Sequence, residues 1–138
     1  MKLLSWNCQG SGKPKTVRAF KKLIHDNRPD VVFVMETKKT TANCKIFQSF
    51  RKLDKSTIVD CTTNGNGRSG GLAFMWNSLT IHIDIIHTDS NYIDFILTCL
   101  TTNNVMRAID IYGFPQHHNK FLTSQLISDI STINYHEN

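Results

Sequence analysis

The chain opens on a short alternation. Between Lys2 and Cys8, Leu4, Trp6 and Cys8 fall on one side and Leu3, Ser5 and Asn7 on the other, which is the period of a strand. A Gly-Ser-Gly-Lys-Pro loop follows, and the period then changes. Val17, Phe20, Leu23 and Ile24 recur at helical spacing with lysines opposite, which predicts a helix over Lys15 to Asn27. Pro29 ends it, because the residue before a proline avoids the helical region. The next run, Val31 to Met35, is continuously apolar and rich in β-branched residues, the pattern of a strand covered on both faces. Strand, helix and strand within 36 residues make a βαβ unit with two parallel strands.

Beyond Glu36 the pattern predicts a second helix over Ala42 to Leu53 and a short strand over Thr57 to Cys61. Period two then dominates. Gly71 to Trp76, Thr80 to His87, Tyr92 to Leu100 and Val105 to Tyr112 read as strands, separated by Asn-Ser, Asp-Ser-Asn and Thr-Asn-Asn turns, and are expected to form one antiparallel meander. Leu122, Leu126, Ile130 and Ile133 predict a last helix over His118 to Ile133. The class is α/β with a mixed sheet. The helices can cover one of its faces, and no segment is evident that would cover the other.

The 138 residues suit one domain, 1–138, and an apolar share of 40 % with 20 % charged residues is globular. No apolar run reaches the ~18 residues of a membrane span, and the N-terminus has no secretory pattern. The expectation is an intracellular protein, nuclear or cytoplasmic, with no membrane partner. Cys8, Cys44, Cys61 and Cys99 lack zinc-ligand spacing and are expected as reduced thiols. Sixteen Lys and Arg against eleven Asp and Glu leave +5, with Lys15, Arg18, Lys21 and Lys22 clustered on the first helix. That balance favours polyanions such as nucleic acid or anionic lipid.

Candidate chemistry lies at strand ends. Gly65 to Gly70 matches G-x-G-x-x-G, but a strand follows it where a dinucleotide site needs a helix N-terminus. A loop carrying Arg68 toward a phosphate is the better reading. Glu36 closes an apolar strand. It is either a solvated carboxylate at the strand mouth or a ligand, since parallel α/β sheets bind ligands beyond the C-terminal ends of their strands. Asn7 ends the neighbouring strand, and an amide beside a carboxylate suits a hard cation or a phosphate. Tyr112 ends another apolar strand, as a half-buried rim residue or as a donor to a phosphate oxygen.

Four segments, KLLSWNCQGSGKPKTVRAFKKLI, RPDVVFVMETK, GRSGGLAFMWN and IDIYGFPQ, together resemble the endonuclease/exonuclease/phosphatase superfamily. They are most similar to the endonuclease domains of plant LINE-type (non-LTR) retrotransposon polyproteins. The resemblance implies a DNase I-like two-sheet α/β sandwich flanked by helices and a metal-dependent phosphodiesterase, using Mg²⁺ with Mn²⁺ as an alternative. It matches Asn7 to an active-site asparagine near the scissile phosphate, Glu36 to a metal-binding glutamate and Tyr112 to a phosphate-contacting position. It makes DNA the expected partner of Lys15, Arg18, Lys21, Lys22 and Arg68. Inositol phosphates, sphingomyelin and poly(A) are substrates elsewhere in the superfamily.

The GDxN motif and the Asp-His pair of that superfamily are absent from this sequence. The expectation is therefore the N-terminal half of the domain, truncated and inactive by itself. Two other readings stand: a non-catalytic basic nucleic-acid-binding module, and a non-functional remnant. The superfamily's second half would supply the second sheet. Without it, several hundred Å² of apolar surface would face water, forfeiting on the order of 10 kcal/mol at about 25 cal/mol per Å². Such a half is expected to be marginal, self-associating through that uncovered face or dependent on a partner.

Overall fold

The computed structural model describes residues 1–44, 50 and 52–113. Strand β1 (Leu3–Asn7) leads through helix α1 (Pro14–Asn27) to strand β2 (Val31–Met35), and β1 and β2 pair in parallel. Pro14 opens α1, where its fixed φ suits the first turn and its missing N–H costs nothing. Arg28 closes it in the left-handed conformation, with its N–H on Ile24 O at 2.9 Å. Thr41–Asn43 form a 3₁₀ turn, and the described residues near the other end of the expected second helix, Lys52 and Leu53, are irregular. The middle of that helix and the whole of the one expected over His118 to Ile133 lie outside the described residues.

The chain continues through β3 (Lys55–Val59), β4 (Thr62–Asn64), β5 (Gly67–Ser69), β6 (Leu72–Trp76), β7 (Ile81–Thr88), β8 (Tyr92–Cys99) and β9 (Val105–Ile111). These strands form three sheets, not one meander. The first has the order β1-β2-β6-β3, the second is the β4-β5 ribbon, and the third has the order β7-β8-β9. Strand β6 therefore leaves the expected meander. It pairs antiparallel with both β2 and β3, at the centre of the first sheet. The reason lies in its sequence, LAFMW, which is as continuously buried as the VVFVM of β2. Two strands that are apolar on both faces belong side by side in the middle of a sandwich.

The turn at Asn77–Thr80 carries the chain from one sheet to the other. Asn77 O accepts Thr80 N at 3.2 Å and Ile81 N at 2.9 Å, while Asn77 N donates to Asp30 O at 2.9 Å. After this turn β7, β8 and β9 fold back beneath the first sheet. One face of that sheet holds Val32, Val34, Ala73 and Met75 against Phe20 of α1. The other holds Val31, Phe33, Leu72 and Phe74 against Ile81, Ile83, Ile93, Phe95 and Leu97 of the second layer. Phe74 and Phe95 meet with ring centroids 4.6 Å apart. The uncovered face expected from the sequence does not exist, because β7–β9 cover it. The physical basis for self-association through that face goes with it.

Asp110 is the misfit in this layer. Its position in β9 shares the inner face with Ala108 and Tyr112, opposite Ile93, and its Oδ2 is buried without a hydrogen-bond partner among the described residues. Burial alone pushes its carboxyl from 3.8 up to about 6. A raised folded-state value stabilises the protonated form. The contribution is fully present below pH 3.8 and is lost as pH rises through about 6. Stability measured by urea unfolding is therefore expected to show a pH-dependent term that Asp110→Asn lacks. Relative to that variant, wild type should gain about 2 kcal/mol between neutral pH and pH 4. Parallel profiles for the two proteins would contradict this.

Candidate active site at the strand ends

Because β1 and β2 run parallel with Asn7 opposite Met35, both strands end at the same edge. Glu36 is the next residue, and its side chain gathers two partners. Asn7 Nδ2 donates to Glu36 Oε1 at 3.3 Å, and Tyr112 OH donates to the same oxygen at 2.9 Å. Asn7 Oδ1 is itself engaged by the N–H of Gln9 at 3.2 Å, which turns the amide so that its nitrogen faces the carboxylate. Tyr112 is anchored from β8's side: its N–H and that of Gly113 both donate to Asn91 O, at 2.8 and 3.0 Å. The three site residues anticipated from strand ends thus meet at one oxygen. Burial, reinforced by the bond to Glu36, pushes the Tyr112 phenol well above its usual range, so it stays a donor at neutral pH.

The backbone that presents Glu36 is unusual. Glu36 and Lys38 both have positive φ, 56° and 53°, flanking a fully buried Thr37. Left-handed conformations cost a non-glycine residue about 1 kcal/mol each. A ring of backbone bonds holds them. Gly10 N donates to Glu36 O at 2.7 Å and Ser11 N to Thr37 O at 3.0 Å; Thr37 N donates to Gly71 O at 3.1 Å and Lys38 N to Gly70 O at 2.9 Å. The segment after β2 is therefore clamped between the loop after β1 and the entry to β6. Strain retained in this way is common where a side chain must be aimed.

Beside this clamp lies a cleft of about 240 Å³ lined by Gln9, Gly10, Gly12, Lys13, Thr37, Lys38 and Lys39. Sequence reading missed it, although Lys38 and Lys39 directly follow the Glu36 segment; their convergence with Lys13 needs the clamp. Lys15, Arg18, Lys21 and Lys22 lie exposed on α1, and no contact joins them to Glu36. Lys22 is held by Asp26 at 2.7 Å, which leaves it a weaker anion contact than the other three. Arg68 is exposed on β5. Among the described residues, no three His, Cys, Asp or Glu side chains gather as a metal cluster. No described helix is long and apolar enough to cross a membrane.

Residues 4–124 match the model of the endonuclease/exonuclease/phosphatase family. No curated protein matches the chain. Among solved structures, a 3′ phosphatase, NExo, from Neisseria bound to product DNA hairpin matches with a TM-score of 0.52 and 16% identity. The match covers 96% of this chain and 50% of that one. An AP endonuclease, LMAP, from Leishmania major matches with a TM-score of 0.51 and 19% identity, over 82% of this chain and 40% of that one. The chain thus spans half or less of the length of these structures. At such identities the likeness concerns the fold, and it supports the expected DNase I-like α/β sandwich.

The clamp generates a sharp expectation. Gly71 has φ 89°, and a Cβ there would collide with Thr37 Oγ1. Gly71→Ala should cost about 2–4 kcal/mol, combining backbone strain with overpacking. It should also shift the amide resonances of residues 36–38 more than those of β7 and β8. A melting temperature equal to wild type would show that the clamp is slack.

Proposed function

The chain belongs to the endonuclease/exonuclease/phosphatase family, and from that premise we propose that it is the N-terminal half of a divalent-metal-dependent phosphodiesterase domain acting on DNA. The observation that carries the proposal is the meeting of Asn7, Glu36 and Tyr112 at Glu36 Oε1, across sequence separations of 29 and 76 residues. Two donors on one carboxylate oxygen fix the group and leave Oε2 without a hydrogen bond among the described residues. One fixed, open carboxylate oxygen fits Mg²⁺, which keeps several waters and uses one or two protein carboxylates with substrate phosphate; Mn²⁺ is the alternative. When bound, that ion supplies polarisation of the phosphoryl oxygen and stabilisation of the leaving oxygen.

The chain's own side chains have complementary tasks. Glu36 holds the cation. Tyr112 stays protonated and keeps the carboxylate in place. Asn7 has a second Nδ2 hydrogen free for a phosphate oxygen, since a primary amide carries two. Lys15, Arg18, Lys21, Lys22 and Arg68 hold the nucleic-acid backbone. This sequence contains no GDxN motif and no Asp-His dipeptide of the kind the resemblance implies for positioning water or acting on the leaving group. Such contributions are each typically worth ~10²–10⁴ in rate. We therefore assign these residues the holding of metal and phosphate, and expect near-background hydrolysis from the 138-residue chain. The likeness of SWNCQG and VVFVMETK to plant LINE-type domains favours DNA as substrate and a retroelement origin. A second reading, a basic DNA-binding module without catalysis, draws on the exposed lysines of α1.

Calorimetric titration with Mg²⁺ tests Glu36 directly. Glu36→Ala is expected to weaken binding at least tenfold, and plasmid nicking by the variant should not exceed the buffer background. Equal Mg²⁺ affinity in the two proteins would remove Glu36 from the metal site. For DNA binding, log affinity should fall linearly with log salt. Lys15→Ala and Lys21→Ala should each flatten that slope by about one unit. An affinity indifferent to salt would end the basic-surface reading.

A further inference from the structure

A second cleft, of about 570 Å³, opens where the C-terminal end of α1, the segment before β3, the start of β2 and the turn after β6 come together. It is separate from the site at Glu36. Asp30, in its lining, precedes β2 and Glu36 follows it, about 20 Å of extended chain away. Ile24, Pro29, Phe50 and Leu53 give the cleft an apolar side. Leu53 is buried, and the Phe50 ring stands edge-on to Phe20 at 5.1 Å, itself stacked on Trp6 at 5.6 Å. That side is therefore fixed from the core outward. The remaining lining is polar. Arg28 and Lys52 are exposed, and no ion pair or side-chain hydrogen bond engages either among the described residues. Asp30 has both carboxylate oxygens occupied: Oδ2 accepts the N–H of Lys2 at 2.8 Å and Oδ1 accepts from Thr80 Oγ1 at 3.0 Å. Asn77 Oδ1 accepts the N–H of Leu79 at 3.0 Å, which leaves its Nδ2 without a partner among the described residues. Two of the last carbonyls of α1, which would repel an anion, are covered: Leu23 O accepts from Asn27 Nδ2 and Ile24 O from the N–H of Arg28, each at 2.9 Å.

We infer that this cleft binds a small amphipathic anion: a flat apolar body that carries one carboxylate or phosphate monoester group. Its volume lies within the ~300–1,000 Å³ of small-ligand sites, which are likewise largely apolar with a few placed polar groups. The side-chain groups left open here, on Arg28, Lys52 and Asn77, are all donors, and an oxyanion is the group that satisfies donors alone. The arginine fork matches two oxygens of a carboxylate or phosphate at once. Arg28 also has φ 45°, a conformation that glycine adopts without strain, at a cost of about 1 kcal/mol. The chain thus holds a cationic side chain at the end of α1 where glycine would be easier. The apolar side makes the second demand. A bare hydrated ion would leave Ile24 and Phe50 facing water, and an uncharged ring would leave the donors unanswered. A ligand with both parts meets both.

NMR titration of the full chain with 2-naphthoate and with 2-naphthyl phosphate, in the absence of divalent metal, tests this. Neutral 2-naphthalenemethanol and inorganic phosphate serve as the two halves of the ligand. A naphthyl anion is expected to shift the amide resonances of Ile24, Arg28, Leu53 and Asn77 and to leave those of Asn7, Glu36 and Tyr112 in place. The tighter of the two anions identifies the head group. The neutral analogue and inorganic phosphate should each bind at least tenfold more weakly. The double variant R28G/K52A should weaken the anion at least tenfold, with a melting temperature no lower than wild type because glycine suits the backbone at position 28. Its Mg²⁺ affinity should be unchanged. Lys52→Ala alone, which leaves α1 untouched, should weaken the anion about threefold. Wild-type affinity in R28G/K52A would overturn the proposal, as would a neutral analogue or inorganic phosphate that binds as tightly as the naphthyl anions. So would the absence of shifts at Ile24, Arg28, Leu53 and Asn77 with both anions.

Discussion

Strand β2 is kept from water on both sides. Val32 and Val34 press against the layer that contains Phe20 of α1; Val31 and Phe33 press against the layer built by β7–β9. Neither contact is optional, because each of these side chains is worth roughly 1.5–3 kcal/mol when fully buried and all four are at most 1% exposed. The double burial explains why the sheet order is β1-β2-β6-β3: among the described strands, β6 alone has a matching two-faced apolar run to sit beside β2. It also fixes where β2 must end. One residue past Met35 the chain leaves the dry layer, and the first side chain to leave it is a carboxylate.

The cost of that exit is visible in the backbone. Glu36 and Lys38 adopt a conformation that glycine would prefer, yet glycine at position 36 could not present a carboxylate to Asn7 and Tyr112. The fold instead places the glycines on the facing segments, at Gly10 and Gly71, so that these backbones approach closely while the strained residues keep their side chains. Strain and permissiveness are divided between partners. Asn7 shows the same economy: its amide both turns its own loop and supports the acid next door.

Much of this could be read from the sequence, and what could not has identifiable causes. The parallel βαβ unit follows from period and length, and it places Asn7 beside Glu36. The meeting of Tyr112 with them was anticipated only through family likeness, because nothing local says where a residue 76 positions away will lie. Alternation in β7–β9 specifies an inward face but not which sheet that face meets, so the covering of the first sheet went unread. The signal for it was present in LAFMW, whose unbroken apolar run marks β6 as a central strand. The ribbon has no apolar residue and therefore no period to detect; only the Asn-Gly-Asn-Gly turn at 64–67 hinted at it. The expectation of an uncovered face failed for the same reason the meander did.

The long reach of the Tyr112–Glu36 bond bears on the order in which the molecule comes together. Asn7 and Glu36 close a loop of 29 residues, Tyr112 and Glu36 one of 76. The longer closure costs about 0.8 kcal/mol more in chain entropy, and it requires three further strands to have docked. The amide–carboxylate pair lies within a local βαβ unit, and the phenol joins it only across the longer span. Any opening that peels β9 away would unlatch the carboxylate from Tyr112 while leaving Asn7 in place. The tyrosine therefore acts as a seal, registering at the mouth of the site whether the two layers behind it have closed.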